Sequence, residues 1–384
     1  LYAQCEDDFN RVERNYIWAI GRLAEVEGEK AIYSDLRANL YMTKEEAIIN
    51  YEKSPKWLQE LCVAFADGIN FYLKNNPQVT PKLMTHFEPW MPMYFSEGSI
   101  GGDIERVSTK KIRDFYEHQP SSEKLAISDG LIRLKDNEPR GSNGFAIGGE
   151  KTASGNAMLL INPHTSFFFR GESHVVSEEG LDAYGATTWG QFFIYQGFNE
   201  KTGWMHTSTG TDIIDEFTET IVKSDAGIQY QYGKELLPVD SVKVSLNYIT
   251  DKGVSSKDFT MYRTHHGPIT HAEGEKWVAT ALMWSPIKAL EQSFTRTKNS
   301  NHDEFYKMMD IRTNSSNNTV YADADGTIAY YHGNFIPKRN EKFDYTKPVD
   351  GSNPATDWKG LHDLEDNIFV KNPPTHWIQN CNST

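Results

Sequence analysis

Residues able to do chemistry are spread thinly along this chain, and the common catalytic spacings are missing. There is no GxSxG elbow, no HExxH, no GxxxxGK[ST], and no GxGxxG after a strand-like run. The α/β-hydrolase elbow, zincin, phosphate-loop and dinucleotide templates therefore do not apply. Two short runs offer ligand atoms. The DADG run, Asp323 to Gly326, matches part of a calcium loop but lacks the remaining ligands, and Asp-Gly between strand-like runs predicts a turn. His265 and His266, followed by Gly267, offer two imidazoles. Neighbours on a strand point to opposite faces, so a structural role is expected for the pair. Cys5, Cys62 and Cys381 form no CxxC pair, which argues against a zinc or dithiol site. Their odd number leaves one thiol free unless it pairs between chains. Ser142, between Gly141 and Asn143, reads on its own spacing as a turn serine.

The elements that must position such residues divide the chain in three. Residues 1–120 read as mainly helical: apolar residues recur every three or four positions in DDFNRVERNYIWAIGRLAEVEG and in SPKWLQELCVAFADGINFYLKNN. Residues 121–141 are polar and aperiodic, ending in DNEPRG, and read as a spacer. Residues 142–384 change to short aromatic and β-branched runs separated by Gly, Asn and Asp, such as GFAIGG, AMLLINP, QFFIYQGF, KWVATALMW and GTIAYYHGNF. One helix, NHDEFYKMMDIR (301–312), interrupts them with Asn301 as its expected cap. A helical third followed by strands predicts an α+β layered fold and not an alternating one.

Composition narrows the partners. Nine Trp, 19 Tyr and 20 Phe exclude a disordered chain. A formal charge of -14 with no basic stripe argues against nucleic acid. No apolar run approaches the ~20 residues that span a bilayer. The chain opens on LYAQCEDDF without Met and closes on QNCNST, so both ends read as cut.

Several segments, taken in order, resemble the penicillin acylase family of N-terminal nucleophile hydrolases. RGSNGFAIGGEKTASGNAMLLINPH (140–164) resembles the family's maturation site, and GFNEKTGWMHTSTGTDIIDEF (197–217) its oxyanion and calcium segment. YRTHHGPI (262–269) and YADADGTIAYYHGNFIPKR (321–339) are similar to two framework segments. HWIQNCN (376–382) is similar to the segment supplying a side-chain oxyanion donor, and LYAQCEDDF with GRLAE to the family's start. His164 stands 22 positions after Ser142, as in many members.

The resemblance implies a four-layer αββα fold and a specific chemistry. The Gly141–Ser142 bond is cut by the protein itself, and Ser142 then attacks with its hydroxyl while its own freed amine relays the proton. Such an amine, with an ordinary pKa of about 7.7–8.0, can act as general base near neutrality. The resemblance assigns the oxyanion donors to the Ser208 N–H and the side chain of Asn382, with Asn380 its close competitor, and gives His164 a supporting role at the amine. Asp212, Ile214 and Asp215 of TDIID resemble a calcium loop, with Glu105 the candidate from the helical part; the plain alternative is an acidic strand edge.

The expected substrate is a small N-acyl compound, with some of Phe167, Phe168 and Phe169 lining its pocket. No organic cofactor is implied. The family's further carboxy-terminal region is the expected partner, and the periplasm or the exterior the expected location. Two other readings stay open: an uncut, non-catalytic scaffold that binds an acyl ligand or partner, and a calcium-dependent surface module resting on TDIID alone.

Overall fold

The computed structural model describes residues 1–94, 102–117, 141–165, 170–225 and 227–383. The spacer, apart from Gly141, and Phe167, Phe168 and Phe169 lie outside the described residues.

Two long helices carry the amino-terminal part. In Tyr2–Ala19 the buried residues Cys5, Phe9, Val12 and Tyr16 recur at helical spacing, and in Lys56–Asn75 so do Leu58, Cys62, Phe65, Ile69 and Tyr72. Tyr16 and Phe65 meet ring to ring at 4.9 Å. The buried carboxylate of Glu13 accepts three backbone N–H groups, from Lys82, Leu83 and Met84, and so pins the segment after the second helix against the first. These helices share one core with Leu246, Phe259 and Met261 of the long hairpin Asp240–Thr250 and Gly253–Thr264. They therefore form a layer of the same body.

The remainder is strand-rich. A three-stranded antiparallel sheet runs in the order Trp377–Asn380, Gly141–Ile147, Met158–His164. A seven-stranded sheet places Thr202–Ser208 beside Asn317–Asp323 at its middle. A six-stranded sheet contains the long hairpin and Asp215–Glu219, and a small three-stranded sheet lies over Ile221–Pro238.

Alternation along the central strands sorts the layers. Trp204 and Tyr321 face the helix His302–Met309, packing with Phe305 and Met309. Their neighbours Met205 and Val320 face the other way and meet the three-stranded sheet. A Cβ placed on Gly144 would lie 2.8 Å from Met205 Sδ and 3.0 Å from Val320 Cγ2, so only glycine permits the two sheets this approach. Ala146, Ile378, Val320, Ala322 and Ile328 fill the space beside it.

Asn301 caps its helix as expected, its side chain accepting from the Glu304 N–H. The DADG run forms a turn, with Asp323 Oδ1 accepting from the Thr327 N–H. Two expectations fail. QFFIYQGF is strand only from Gln196, because the chain bends at Gln191, whose N–H bonds Thr188 O. The histidine pair is not on a strand either. His265 and His266 occupy the turn between Gly253–Thr264 and Gly267–Glu273, where both rings swing to the same side with centroids 3.8 Å apart.

Candidate active site

Three distant segments converge where the two central sheets meet. The strand register sets Gly141 opposite His164 and Ser142 opposite Pro163. On the same strand Ser142, Gly144 and Ala146 alternate inward, leaving Ser142 only 7 % exposed. Ser208 ends the central strand of the facing sheet. Asn382 lies just past Trp377–Asn380, the strand on the other flank of Gly141–Ile147.

Asn382 ties the three together. Its Nδ2 donates to Ser142 O at 3.0 Å, and its Oδ1 accepts from the Ser208 N–H at 3.2 Å. Asn382 holds φ at +66°, a left-handed conformation that asparagine tolerates better than most residues. Gly141 holds φ at +142°, and a Cβ there would lie 2.8 Å from Asn382 Nδ2. The Gly-Ser junction and the amide thus fit against each other without room for any side chain at 141.

Asn380, the competitor for the donor role, turns its Nδ2 to the Tyr330 hydroxyl at 3.3 Å. It is buried, and its Oδ1 accepts from Thr207 Oγ1 at 2.5 Å, from Asn318 Nδ2 at 3.4 Å and from the Asn382 N–H at 3.0 Å. Asn318 and Thr207 are the positions that the spacing of the sequence did not reveal; only pairing between Thr202–Ser208 and Asn317–Asp323 brings them together.

Ser142 Oγ donates to Gly141 O at 2.6 Å. Among the described residues no histidine or carboxylate bonds this hydroxyl. His164 instead turns its Nε2 to Asn162 Oδ1 at 2.9 Å and to Asn143 Nδ2 at 3.3 Å, so it braces the strand pair beside the junction. His206 is buried, with Arg296 Nη1 at 2.9 Å from its Nε2 and Thr319 Oγ1 at 3.0 Å from Nδ1. Burial and the neighbouring Arg296 and Arg170 charges hold it neutral, far below the usual imidazole range. Its Nε2 is therefore spent as an acceptor for Arg296. Burial also pushes the Cys5 and Cys62 thiols up to about 12, which removes them as nucleophiles.

The residues expected to hold calcium are arranged differently. Asp215 is fully buried and grips a guanidinium: Arg339 Nε donates to Oδ2 at 2.8 Å and Nη2 to Oδ1 at 2.9 Å. Trp358 Nε1 adds a bond to Oδ2 at 2.5 Å. Arg339 Nη2 also donates to the main-chain oxygen of Asp212 at 2.8 Å. Ile214 packs among apolar residues, and the Glu105 main-chain oxygen accepts from Arg37 at 3.3 Å. This donor set does not fit calcium as it stands, because one cation is already built in and it is an arginine. The buried carboxylate of the Gly102–Arg106 turn is Asp103, not Glu105; Arg106 Nη1 lies 3.8 Å from its Oδ1, and burial raises its pKa against the opposing pull of Ser315 and Arg106.

The sheet pair and the converging Ser142, Ser208 and Asn382 define a class: a mixed helix-and-sheet protein presenting a serine at a glycine junction beside amide donors. The family described as penicillin amidase matches residues 1–384, and the chain belongs to it. A penicillin G acylase of Escherichia coli is 26% identical over 64% of this chain and 29% of its own length. An acyl-homoserine lactone acylase of Pseudomonas fluorescens is 23% identical over 99% of this chain and 52% of its own. A penicillin acylase 2 proenzyme of a Pseudomonas species is 24% identical over 100% and 55%. The chain spans about half the length of these last two relatives. A solved thermostable penicillin G acylase from Alcaligenes faecalis superposes with a TM-score of 0.55 at 22% identity, covering 63% of this chain and 44% of that one, a likeness of fold.

Proposed function

We propose that the protein is an amide hydrolase acting on small N-acyl compounds, with Ser142 as nucleophile after the chain splits itself at Gly141–Ser142. The observation that carries this reading is the meeting of Ser142, Ser208 and Asn382 from segments far apart in sequence, around a glycine junction that admits no Cβ. Family membership supports hydrolysis of acyl amides in general.

The splitting step uses what the junction already holds. Ser142 Oγ, hydrogen-bonded to Gly141 O, attacks the Gly141 carbonyl carbon; the C–N bond breaks as Ser142 N takes the proton, and an ester joins the two residues. Water then hydrolyses the ester, leaving a Gly141 carboxylate and a Ser142 with free amine and hydroxyl. In turnover that amine takes the hydroxyl proton, directly or through a water, as Oγ attacks the substrate amide. The Ser208 N–H and Asn382 Nδ2 stabilise the oxyanion, the proton passes to the departing amine, and water releases the acid. His164 acts through Asn143 and Asn162, keeping the strand pair in register behind the nucleophile.

In the uncut chain the Ser208 N–H donates to Asn382 Oδ1 and Asn382 Nδ2 donates to Ser142 O, so both donors are engaged within the protein. That arrangement suits a precursor whose donors are released when the junction opens. We further propose that the full four-layer αββα architecture is completed by sequence of the kind its longer relatives carry, and that the protein works in the periplasm or outside the cell. No helix among the described residues is long and apolar enough to cross a membrane.

Intact mass of the full-length protein tests the reading. Two fragments that part before Ser142, together with one uncut chain for Ser142→Ala, are expected. A single uncut chain in an otherwise active preparation overturns it.

A further inference from the structure

A second constellation lies apart from Ser142, at the turn that holds the histidine pair. Neither acyl transfer nor self-cleavage, as described above, uses it. Asp357, in the loop before Trp358, sends Oδ1 between the two rings: His266 Nε2 lies 3.1 Å away and His265 Nε2 3.7 Å away. One ligand atom from each of the three lies within 4.8 Å of the other two.

We propose that His265, His266 and Asp357 form a binding site for a divalent transition-metal ion, zinc being the type.

The geometry of the ligand atoms carries the argument. A tetrahedral zinc with Zn–N and Zn–O near 2.0–2.1 Å sets its ligands about 3.3 Å apart. The two distances to Asp357 bracket that value. His266 Nε2 meets Oδ1 at hydrogen-bond distance, and His265 Nε2 stands 3.7 Å from the same oxygen, so all three ligand atoms already lie around one point.

The far side of each ring is fixed in the way metal-binding histidines require. His265 Nδ1 is 2.8 Å from the Tyr230 hydroxyl, and His266 Nδ1 is 2.8 Å from Oε1 of the buried Glu219. A carboxylate behind a histidine holds the tautomer that presents Nε2 and raises its basicity toward a metal. Phe217 stacks on the His266 ring at 4.1 Å and 6°, which fixes its plane. Tyr232 Oη donates to Asp357 Oδ2 at 2.5 Å, leaving Oδ1 as the single oxygen turned to the site.

Chemistry and access agree. Two imidazoles and one carboxylate suit zinc or a neighbouring transition ion better than calcium, which prefers six to eight oxygens. His265 is exposed and Asp357 partly so, which gives an ion a path in. A dication also offsets the charge of Glu219, whose Oε2 is buried without a hydrogen-bond partner. The site's role is a clasp, joining the 265–266 turn to the loop whose next residue, Trp358, bonds Asp215.

The test is calorimetric titration of chelator-stripped protein with zinc chloride at pH 7.5, followed by cobalt(II) as an optical probe. One zinc per chain is expected, with visible cobalt bands of tetrahedral intensity, and calcium in large excess should not displace it. His265→Ala changes an exposed residue, so its metal-free circular dichroism should match the parent. Zinc affinity should fall at least tenfold in His265→Ala and in Asp357→Asn. No stoichiometric binding to the parent, or a loss of less than tenfold in both variants, overturns the site.

Discussion

Asn382 and Ser142 are 240 positions apart, and the side-chain amide of the first donates to the backbone carbonyl of the second at 3.0 Å. That bond ties the strand Gly141–Ile147 to the segment just past Trp377–Asn380, beside the Gly141–Ser142 junction. It makes the amide of Asn382 the most informative group to remove.

Asn382→Gly is the cleanest way to do so, because glycine accepts the +66° φ that alanine resists. Losing one oxyanion donor is expected to lower kcat by about 10²–10³-fold with little change in KM. Steady-state kinetics on an N-acyl substrate, beside a thermal melt, reads both. An unchanged kcat in folded protein would remove Asn382 from the site.

Gly141→Ala addresses splitting alone. The added Cβ would lie 2.8 Å from Asn382 Nδ2 and meets a φ that L-residues avoid, so the junction must shift. A displacement near an ångström can cost about 10²-fold in rate. Uncut chain should accumulate in a time course followed by mass spectrometry. Protein that does mature should turn over normally, because Gly141 is then only a chain end.

Arg339→Met tests whether the guanidinium serves as the cation of the Asp212–Asp215 segment. Removing it leaves Asp215 buried with Trp358 alone, a change expected to cost about 3–5 kcal/mol in urea unfolding. The deficit has a pH signature. Burial already raises the Asp215 pKa against the opposing pull of Arg339 and Trp358, and the variant raises it further. A native state that holds the proton longer than the unfolded chain loses stability as pH rises. The deficit should therefore be small while both native states keep the proton and grow as pH climbs past the parent's raised Asp215 pKa toward the variant's higher one. Millimolar calcium that restores the variant's stability would show that a metal can replace the arginine among Asp212, Ile214, Asp215 and Glu105.

What could be read from sequence was local or rested on ordered motifs. The spacing of Phe9, Val12 and Tyr16 and the cap at Asn301 declare their helices without help from the rest of the chain. Ser142, Ser208 and Asn382 were legible only through resemblance, since nothing in their spacing says that they meet. Pairing across long separations was hidden. Thr207 and Asn318 support Asn380 only because two strands far apart in sequence are neighbours, with Asn318 opposite Thr207. The role of Arg339 was hidden for the same reason, as it reaches Asp215 over 124 positions. The histidine pair sits in a tight turn, where the alternation of a strand does not hold, so sequence neighbours there can face the same side. The helix Pro286–Arg296 carries its own sequence signal, since Ser285-Pro286 is a start signal and Ala289, Leu290, Ser293 and Arg296 are buried at helical spacing.

Gly144 links packing to catalysis, because it sets the distance between the sheet that carries Ser142 and the sheet that carries Ser208. Gly144→Ala places a methyl 2.8 Å from Met205 Sδ and 3.0 Å from Val320 Cγ2, an overpacking expected to cost about 1–3 kcal/mol. If the sheets separate, activity should fall with stability, though no catalytic group has been changed. Met205→Ala alone should also destabilise, by opening a cavity where Met205 is fully buried. In the double variant the new methyl enters that space, so the two costs should fall short of their sum by at least about 0.5 kcal/mol. Chemical denaturation of the four proteins closes the cycle. Strict additivity would mean that Gly144 and Met205 do not meet, and the contact between the two sheets would then lie elsewhere.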